Sequence, residues 1–407
     1  TLHLMSEEDA LSKVQKYLHR QGIDRLSPIA RKVEREGTPN RRNVVLVFME
    51  SMSANLMGTF GSDKKLTPYL DSLYQQSLSF SHFYSSGIHT NHGIYSTLYS
   101  FPAIMKRNAM KGSVIPVYSG LPTVLQENGY CNLFFMTHES QYDNMNAFLR
   151  TNGFDEIYAQ ENYPSEKVVN SFGVQDDFMY QYALPILNER AGTGNPFFSV
   201  LLSISNHPPY VIPPYFHPHS DVLEEQIVEY ADWSIRQFMQ AAEKQPWFDN
   251  TIFVFLGDHG KMVGTPECEM PQSYNHIPLM IYGKDIKPGV YDGFGGQVDV
   301  SPTLLGLLNI SYLQNNFGVN LLEEERPCMF FTADNLIGAR DSVNMFIYSP
   351  DSQQEFKYKL EEGKLHAATG TDEEAFRNLK DYCFSMLQST ESLVKEHKTL
   401  DKVSVKK

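Results

Sequence analysis

Glu50, Thr90, His207, Asp258 and His259 are far apart in the chain but chemically complementary. Glu50 closes the apolar run NVVLVFMES, Asp258 and His259 sit in FVFLGDHG, and His207 sits in SNHPPY. Two carboxylates and an imidazole can hold a divalent cation and leave one coordination position open. Thr90, in SSGIHTNHGIYSTLYSFP, adds a hydroxyl. A threonine hydroxyl is a weak nucleophile at neutral pH, and coordination to a cation lowers its pKa and aims it. On this reading Thr90 is both the fourth ligand and the attacking oxygen. A helix starting near residues 93 and 94 would point its first N–H groups at a phosphate there.

Each position also has a plainer reading. Thr, Ser and Asn are favoured before helices because they cap exposed N–H groups, so the Thr90 stretch taken alone reads as a helix cap. Glu50 fits an acid near a helix N-terminus. Asp258 and His259 fit a turn between Gly257 and Gly260. His138 and His207 fit packed loop imidazoles.

Placement on the elements outweighs these readings. NVVLVFMES (43–51) is a continuous β-branched and apolar run, the signature of a strand buried on both faces. YCNLFFMTH (130–138), NPFFSVLLSIS (195–205), NTIFVFLGDHG (250–260) and IPLMIYG (277–283) read as further strands. Helices are expected over 6–20 with Ser6 as cap, in LTPYLDSLYQQS after Thr67, and over 121–129, 224–245 and 301–309. Alternation of strands and helices predicts an α/β fold with a mostly parallel central sheet flanked by helices. Ligands of such sheets bind outside the carboxyl ends of the strands. Four predicted strands end in Glu50, His138, Asn206 with His207, and Asp258 with His259. None of these groups is comfortable buried and unpaired, so one shared site explains them better than four accidents.

The pattern changes after residue 310. CMFFTADN, NMFIYSP and EFKYKLEEGKLHAA read as short strands with polar faces, and DEEAFRNLKDYCFSMLQSTESLVKEH as a closing helix. The expected organisation is a helical lead segment (1–41), a catalytic domain (42–310) and a small C-terminal α+β annex of antiparallel strands plus helix (311–407).

Composition narrows the function. The chain has 48 acidic residues against 34 Lys and Arg, a net charge of −14, and no long basic run, which argues against a nucleic-acid partner. The basic tail KEHKTLDKVSVKK reads as a solvated end. Four cysteines form no C-x-x-C pair, which excludes a zinc ribbon or a thioredoxin-like motif. No apolar run reaches the length of a membrane span. The chain begins at Thr1 rather than Met, as expected of a fragment or processed form.

In order and spacing, NVVLVFMES, HTNHGIYSTLYSFP, SNHPPY, FVFLGDHG, YNHIPLMIYG and GQVDVSPTLLGLLNI resemble the sulfatase/alkaline-phosphatase superfamily over about residues 40–310. In particular they resemble the soluble domain of lipoteichoic-acid-synthase-like phosphoglycerol transferases, with phosphoethanolamine transferases as cousins. The resemblance implies a threonine nucleophile that takes a phosphoryl group from a phospholipid head group and passes it to a glycan or lipid acceptor. It implies Glu50, Thr90, Asp258 and His259 as ligands of Mn, Mg or Zn, with Mn preferred. FMESMS supplies one acid where two-metal phosphatases place a pair, so a single cation is expected. His207 is implied as a catalytic substrate histidine and His138 as a pocket histidine, and His276, in YNHIPLM, is a further candidate. The glycerol-phosphate-binding synthases carry a Trp and an Arg shortly after the His138 position. Here ESQYDNMNAFLR has no Trp and its Arg150 comes late, so Asp143 and Asn144 are expected to face the pocket. The implied location is the cell membrane, with an extracytoplasmic catalytic domain tethered by N-terminal transmembrane helices outside this chain. HTNHGIY lacks the C/S-x-P-x-R setting of true sulfatases, which argues against sulfate ester hydrolysis. The alternatives are a hydrolase of the same fold, with water as acceptor, and a non-catalytic envelope domain, which would have lost some of these groups.

Overall fold

The computed structural model describes residues 1–369 and 373–402. Its centre is an eight-stranded sheet. In chain order the strands are β1 (Asn43–Met49), β2 (Leu78–Tyr84), β3 (Cys131–Phe135), β4 (Glu156–Tyr158), β5 (Phe197–Leu202), β6 (Thr251–Gly257), β7 (Leu279–Tyr282) and β8 (Gly289–Gly296). Across the sheet they lie in the order β8-β2-β7-β6-β1-β5-β3-β4. Only β7 runs antiparallel to its neighbours, β2 and β6. The mostly parallel α/β fold read from the sequence is the fold observed.

Every residue of β1 is buried, because helices cover both sheet faces. Val44, Leu46 and Phe48 enter one core, and Val45, Val47 and Met49 enter the other. On the Val45 face lie α2 (Pro68–Gln76), α6 (Asp176–Ala191) and α7 (Leu223–Ala242). On the Val44 face lie α1 (Glu7–Tyr17), α3 (Thr90–Tyr99), α4 (Leu121–Glu127), α5 (Met145–Thr151), α8 (Val300–Leu307) and α9 (Glu373–Lys395). Ser6 caps α1 as its sequence suggests, accepting a hydrogen bond from Asp9 N.

The annex is a five-stranded antiparallel sheet: β9 (Met329–Thr332), β10 (Ile337–Arg340), β11 (Asn344–Ser349), β12 (Gln354–Glu361) and β13 (Lys364–Ala367). It shares its core with the Val44 face of the central sheet. Lead segment and annex also join each other. Residues 31–33 pair with 312–314, Lys13 Nζ meets Asp381 at 2.6 Å, and Tyr17 packs edge-on to Tyr382. Residues 403–407 of the basic tail lie outside the described residues.

The local pattern did not mark β2, whose LSFSHFY mixes polar and apolar residues, or β8, rich in glycine. It also passed over α6, a 16-residue helix that keeps its course through Pro185, a residue that normally argues against a helix interior.

Candidate active site

The four strands expected to end in polar groups are consecutive in the sheet: β6, β1, β5 and β3. They are parallel, so their carboxyl ends open on one edge. Glu50 follows β1 directly and Asp258 follows β6 directly, on paired strands whose register sets Met49 against Gly257. Both carboxylates are buried. With His259 they form a cluster in which one donor atom from each lies within 4.8 Å of the others.

Thr90 completes the cluster from above. It is the first residue of α3, and His89 holds the N-cap position without a side-chain cap bond. Thr90 Oγ1 does not turn back on its own helix. It lies 2.8 Å from Asp258 Oδ2 and 3.1 Å from Glu50 Oε2. Close packing brings it there: a Cβ at Gly93 would sit 2.3 Å from the Asp258 carbonyl oxygen, so only glycine lets α3 approach β6 this closely.

The protonation balance shows what the cluster needs. Burial opposes the charge on Glu50, but hydrogen bonds from Asp258 and His259 outweigh it and hold the carboxyl at about 2. Burial and the Glu50 charge beside it push Asp258 well above the usual carboxylate range. Burial opposes the charge on His259, yet the Asp258 and Glu50 carboxylates lift its imidazole to about 10. His259 Nδ1 donates to the Gly260 carbonyl at 2.7 Å, which turns Nε2 toward Asp258 at 3.4 Å and Glu50 at 3.6 Å. The Thr90 hydroxyl has one hydrogen for two facing carboxylate oxygens. Two buried acids, one imidazole nitrogen fixed by its other ring atom and one short-handed hydroxyl fit a divalent cation.

Surrounding residues hold this geometry. Asp258 Oδ1 accepts from Ser51 N at 2.9 Å and His259 N at 2.7 Å. Ser51 Oγ donates to Glu50 Oε1 at 3.1 Å. Gln297, fully buried, donates to the Asp258 carbonyl at 2.8 Å and accepts from Ser86 N at 3.0 Å, tying the end of β6 to the loop before Thr90. The annex reaches the site as well: Asp334 lies 2.6 Å from His89 Nε2, beside Thr90. His92 is buried inside α3 and donates from Nε2 to the Arg107 carbonyl.

The remaining sequence candidates separate. His138 and His207 stand on one rim of rings, with His138 against Tyr142 at 4.7 Å and His207 against Phe172 at 4.3 Å. His138 Nδ1 donates to the Glu139 carbonyl at 2.9 Å, and Nε2 is buried with no partner. His207 Nδ1 donates to the Pro208 carbonyl at 2.6 Å, leaving Nε2 for a ligand. Asp143 and Asn144, expected to face the pocket, are committed elsewhere. Asp143 pairs with Lys111 at 3.3 Å, and Asn144 Nδ2 donates to the Met110 carbonyl at 2.8 Å. Arg150 bonds Asn146 on the surface of α5. His276 does not reach the cluster. Its Nε2 donates to the Ser81 carbonyl at 2.8 Å, and its ring lies between Phe60 and Tyr84, because residue 276 bridges Tyr84 at the start of the antiparallel strand.

The sequence did not single out Lys261. Its Nζ donates to Asn206 Oδ1 at 2.7 Å, next to His207, and burial lowers its pKa to about 8. Only its place two residues after His259 hinted at this. A cavity of about 720 Å³ lies at the opposite, amino end of the strands, lined by Asn43, Pro196, Trp247 and Asn250, and has no carboxylate or imidazole in its wall.

Comparison with known proteins places the chain in a family. The sulfatase family model matches residues 42–310. The lipoteichoic acid synthase-like protein YvgJ of Bacillus subtilis is 25% identical over 355 residues, covering 79% of this chain and 55% of that protein. The chain thus spans about half the length of the curated relatives it matches. An alkaline phosphatase superfamily protein from Vibrio parahaemolyticus superposes with a TM-score of 0.86 at 25% identity, covering 98% of both chains. The lipoteichoic acid synthase LtaP from Listeria monocytogenes gives a TM-score of 0.75 at 22% identity, covering 95% of this chain and 98% of that one. The chain therefore belongs to the sulfatase family of the alkaline-phosphatase superfamily, with a domain like that of the lipoteichoic acid synthases.

Proposed function

We propose that this domain is a metal-dependent phosphotransferase. It moves a phosphoglycerol-type or phosphoethanolamine-type group from a phospholipid to an envelope glycan or lipid acceptor through a covalent Thr90 intermediate. One observation carries this reading: the Thr90 hydroxyl faces Asp258 and Glu50 instead of capping its own helix. The Glu50, Asp258, His259 and Thr90 oxygen and nitrogen donors would hold one divalent cation, manganese by preference with magnesium or zinc as alternatives. When bound, it supplies charge neutralisation and a lowered pKa for the Thr90 hydroxyl.

The chain's own groups do the rest. Thr90 Oγ1 gives its proton to the facing Asp258 carboxylate and forms the bond to phosphorus as the bond to the lipid alcohol breaks; an acceptor hydroxyl later takes the group, and the proton returns to Thr90. The first N–H groups of α3 face the negative charge of the phosphoryl oxygens. His207, when it carries protons on both ring nitrogens, donates from Nε2 to the leaving oxygen and takes a proton back from the acceptor hydroxyl, and His138 Nε2 meets a substrate hydroxyl. Among the described residues no helix is long and apolar enough to cross a bilayer. In this reading the domain works outside the cytoplasmic membrane, tethered by transmembrane helices N-terminal to this sequence.

The test is elemental analysis of purified protein offered Mn, Mg and Zn. It runs alongside turnover of bis-(p-nitrophenyl) phosphate and of phosphatidylglycerol, with and without a glycolipid acceptor. About one bound cation and transfer to the acceptor support the reading. Release of free glycerol phosphate alone makes the protein a hydrolase. A protein that binds none of the cations, or a Thr90→Ala variant as active as wild type, removes the mechanism.

A further inference from the structure

The surface beside the site has an uneven charge pattern that the chemistry above does not use. Between Asp71 and Glu127 the chain contains no Asp or Glu, although 48 acids are spread through the rest. The stretch carries Lys106, Arg107 and Lys111, and just after them a bare apolar tip. Val114 is 80% exposed, Val117 45% and Ile115 36%. Exposed aliphatic side chains scattered singly are ordinary, but three within four residues beside three cations are not.

This loop borders the site. The Arg107 carbonyl accepts from His92 on α3, the Met110 carbonyl accepts from Asn144, and Lys111 pairs with Asp143, one residue from Tyr142 on the His138 rim. Tyr142 (42% exposed) and Val169 (41% exposed) extend the apolar border, Val169 lying three residues before Phe172, which packs on His207. Arg107 and the backbone N–H of Leu2 both bond Glu391, so the first residues of the chain lie beside the same loop.

We propose that residues 105–117 form a bilayer-contact loop. Its apolar tip at 114–117 enters an anionic phospholipid surface while Lys106, Arg107 and Lys111 meet the head-group phosphates, setting the mouth of the Thr90 site against the lipid. The proposal rests on the reading of a phospholipid donor and names the surface through which that donor arrives. Charge complementarity selects the partner: in a protein of net charge −14, the loop itself carries three cations and no acid, and although Arg107 and Lys111 lean on Glu391 and Asp143 at its base, their side chains stay about half exposed to an anionic surface.

The experiment is co-sedimentation of the whole chain with vesicles of phosphatidylglycerol or of phosphatidylcholine, for wild type and for Val114→Ser/Ile115→Ser/Val117→Ser. Val114→Trp is read for quenching of its indole by brominated lipid. Wild type is expected to bind the phosphatidylglycerol vesicles, and the triple variant to bind them about tenfold more weakly. The variant should cleave bis-(p-nitrophenyl) phosphate like wild type and lose turnover of vesicle phosphatidylglycerol. Equal vesicle binding by variant and wild type, or no quenching in the Val114→Trp protein, overturns the loop. So does a wild-type dimer that the triple variant dissolves, which would assign the tip to a second copy of this chain. Turnover failing with every donor while binding and quenching persist removes the functional reading and leaves the loop. Normal turnover without vesicle binding does the reverse.

Discussion

Thr90 is where the plain and the chemical readings of the sequence divide. A capping threonine would bond its own helix, but this hydroxyl faces two buried carboxylates. Thr90→Ala is therefore expected to lower kcat by about 10³-fold or more, while Thr90→Ser, which keeps the oxygen, retains measurable turnover. Mass spectrometry of wild type quenched during turnover should show the adduct on the peptide containing residue 90. His276 leads to a different kind of prediction. Burial lowers its imidazole to about 4, below the 6.5 of a free histidine, so the folded state keeps it neutral. Between those values the unfolded chain takes up a proton that the folded chain refuses. Stability is complete above pH 6.5 and falls as pH drops toward 4, by about 3 kcal/mol from this group. His276→Gln can still donate to the Ser81 carbonyl, and should flatten that part of a Tm-against-pH curve.

Among elements, the site depends on how closely α3 meets the end of β6. The neighbour of Gly93 is backbone, which cannot swing aside. Gly93→Ala is expected to push α3 away from Asp258, costing about 1–3 kcal/mol in urea unfolding and most of the turnover, with Thr90 itself unchanged. The sequence marked both partners of this contact, the GDHG turn and the TNHG helix start, but not that they touch. Strand ends were legible because β1, β3, β5 and β6 are buried runs whose polar residues come just past them. β2 and β8 were not, because a strand with one polar side or many glycines has no period that stands out locally.

For the whole molecule, lead segment, sheet and annex behave as one packed unit. Arg326 bonds Asp299 near α8, Tyr382 on α9 and the Phe317 carbonyl, all buried. Arg326→Met would strand the Asp299 carboxylate, and a loss of about 3–5 kcal/mol is expected in chemical denaturation. The carboxyl edge is the converse case, where two buried acids share one imidazole and Asp258 is pushed toward its neutral form. Adding Mn to chelator-treated protein should raise the stability by about 2–4 kcal/mol at saturating concentrations, read as a Tm shift that Asp258→Asn abolishes.

The sequence by itself determined the alternation of strands and helices, the carboxyl ends at which polar groups gather, and the residue types Glu50, Thr90, Asp258 and His259. These follow from hydrophobic period and from what buried polar groups require, both readable within a short window. Tertiary structure alone decided that β6, β1, β5 and β3 are neighbours and that β7 runs backwards, turning His276 into a wall of rings. It also decided that Asp143 and Asn144 anchor a loop, and that Gln297 and Asp334 brace the start of the Thr90 helix from more than 200 residues away. Such pairings depend on which surfaces meet when the chain closes, and no local pattern of residue types encodes that.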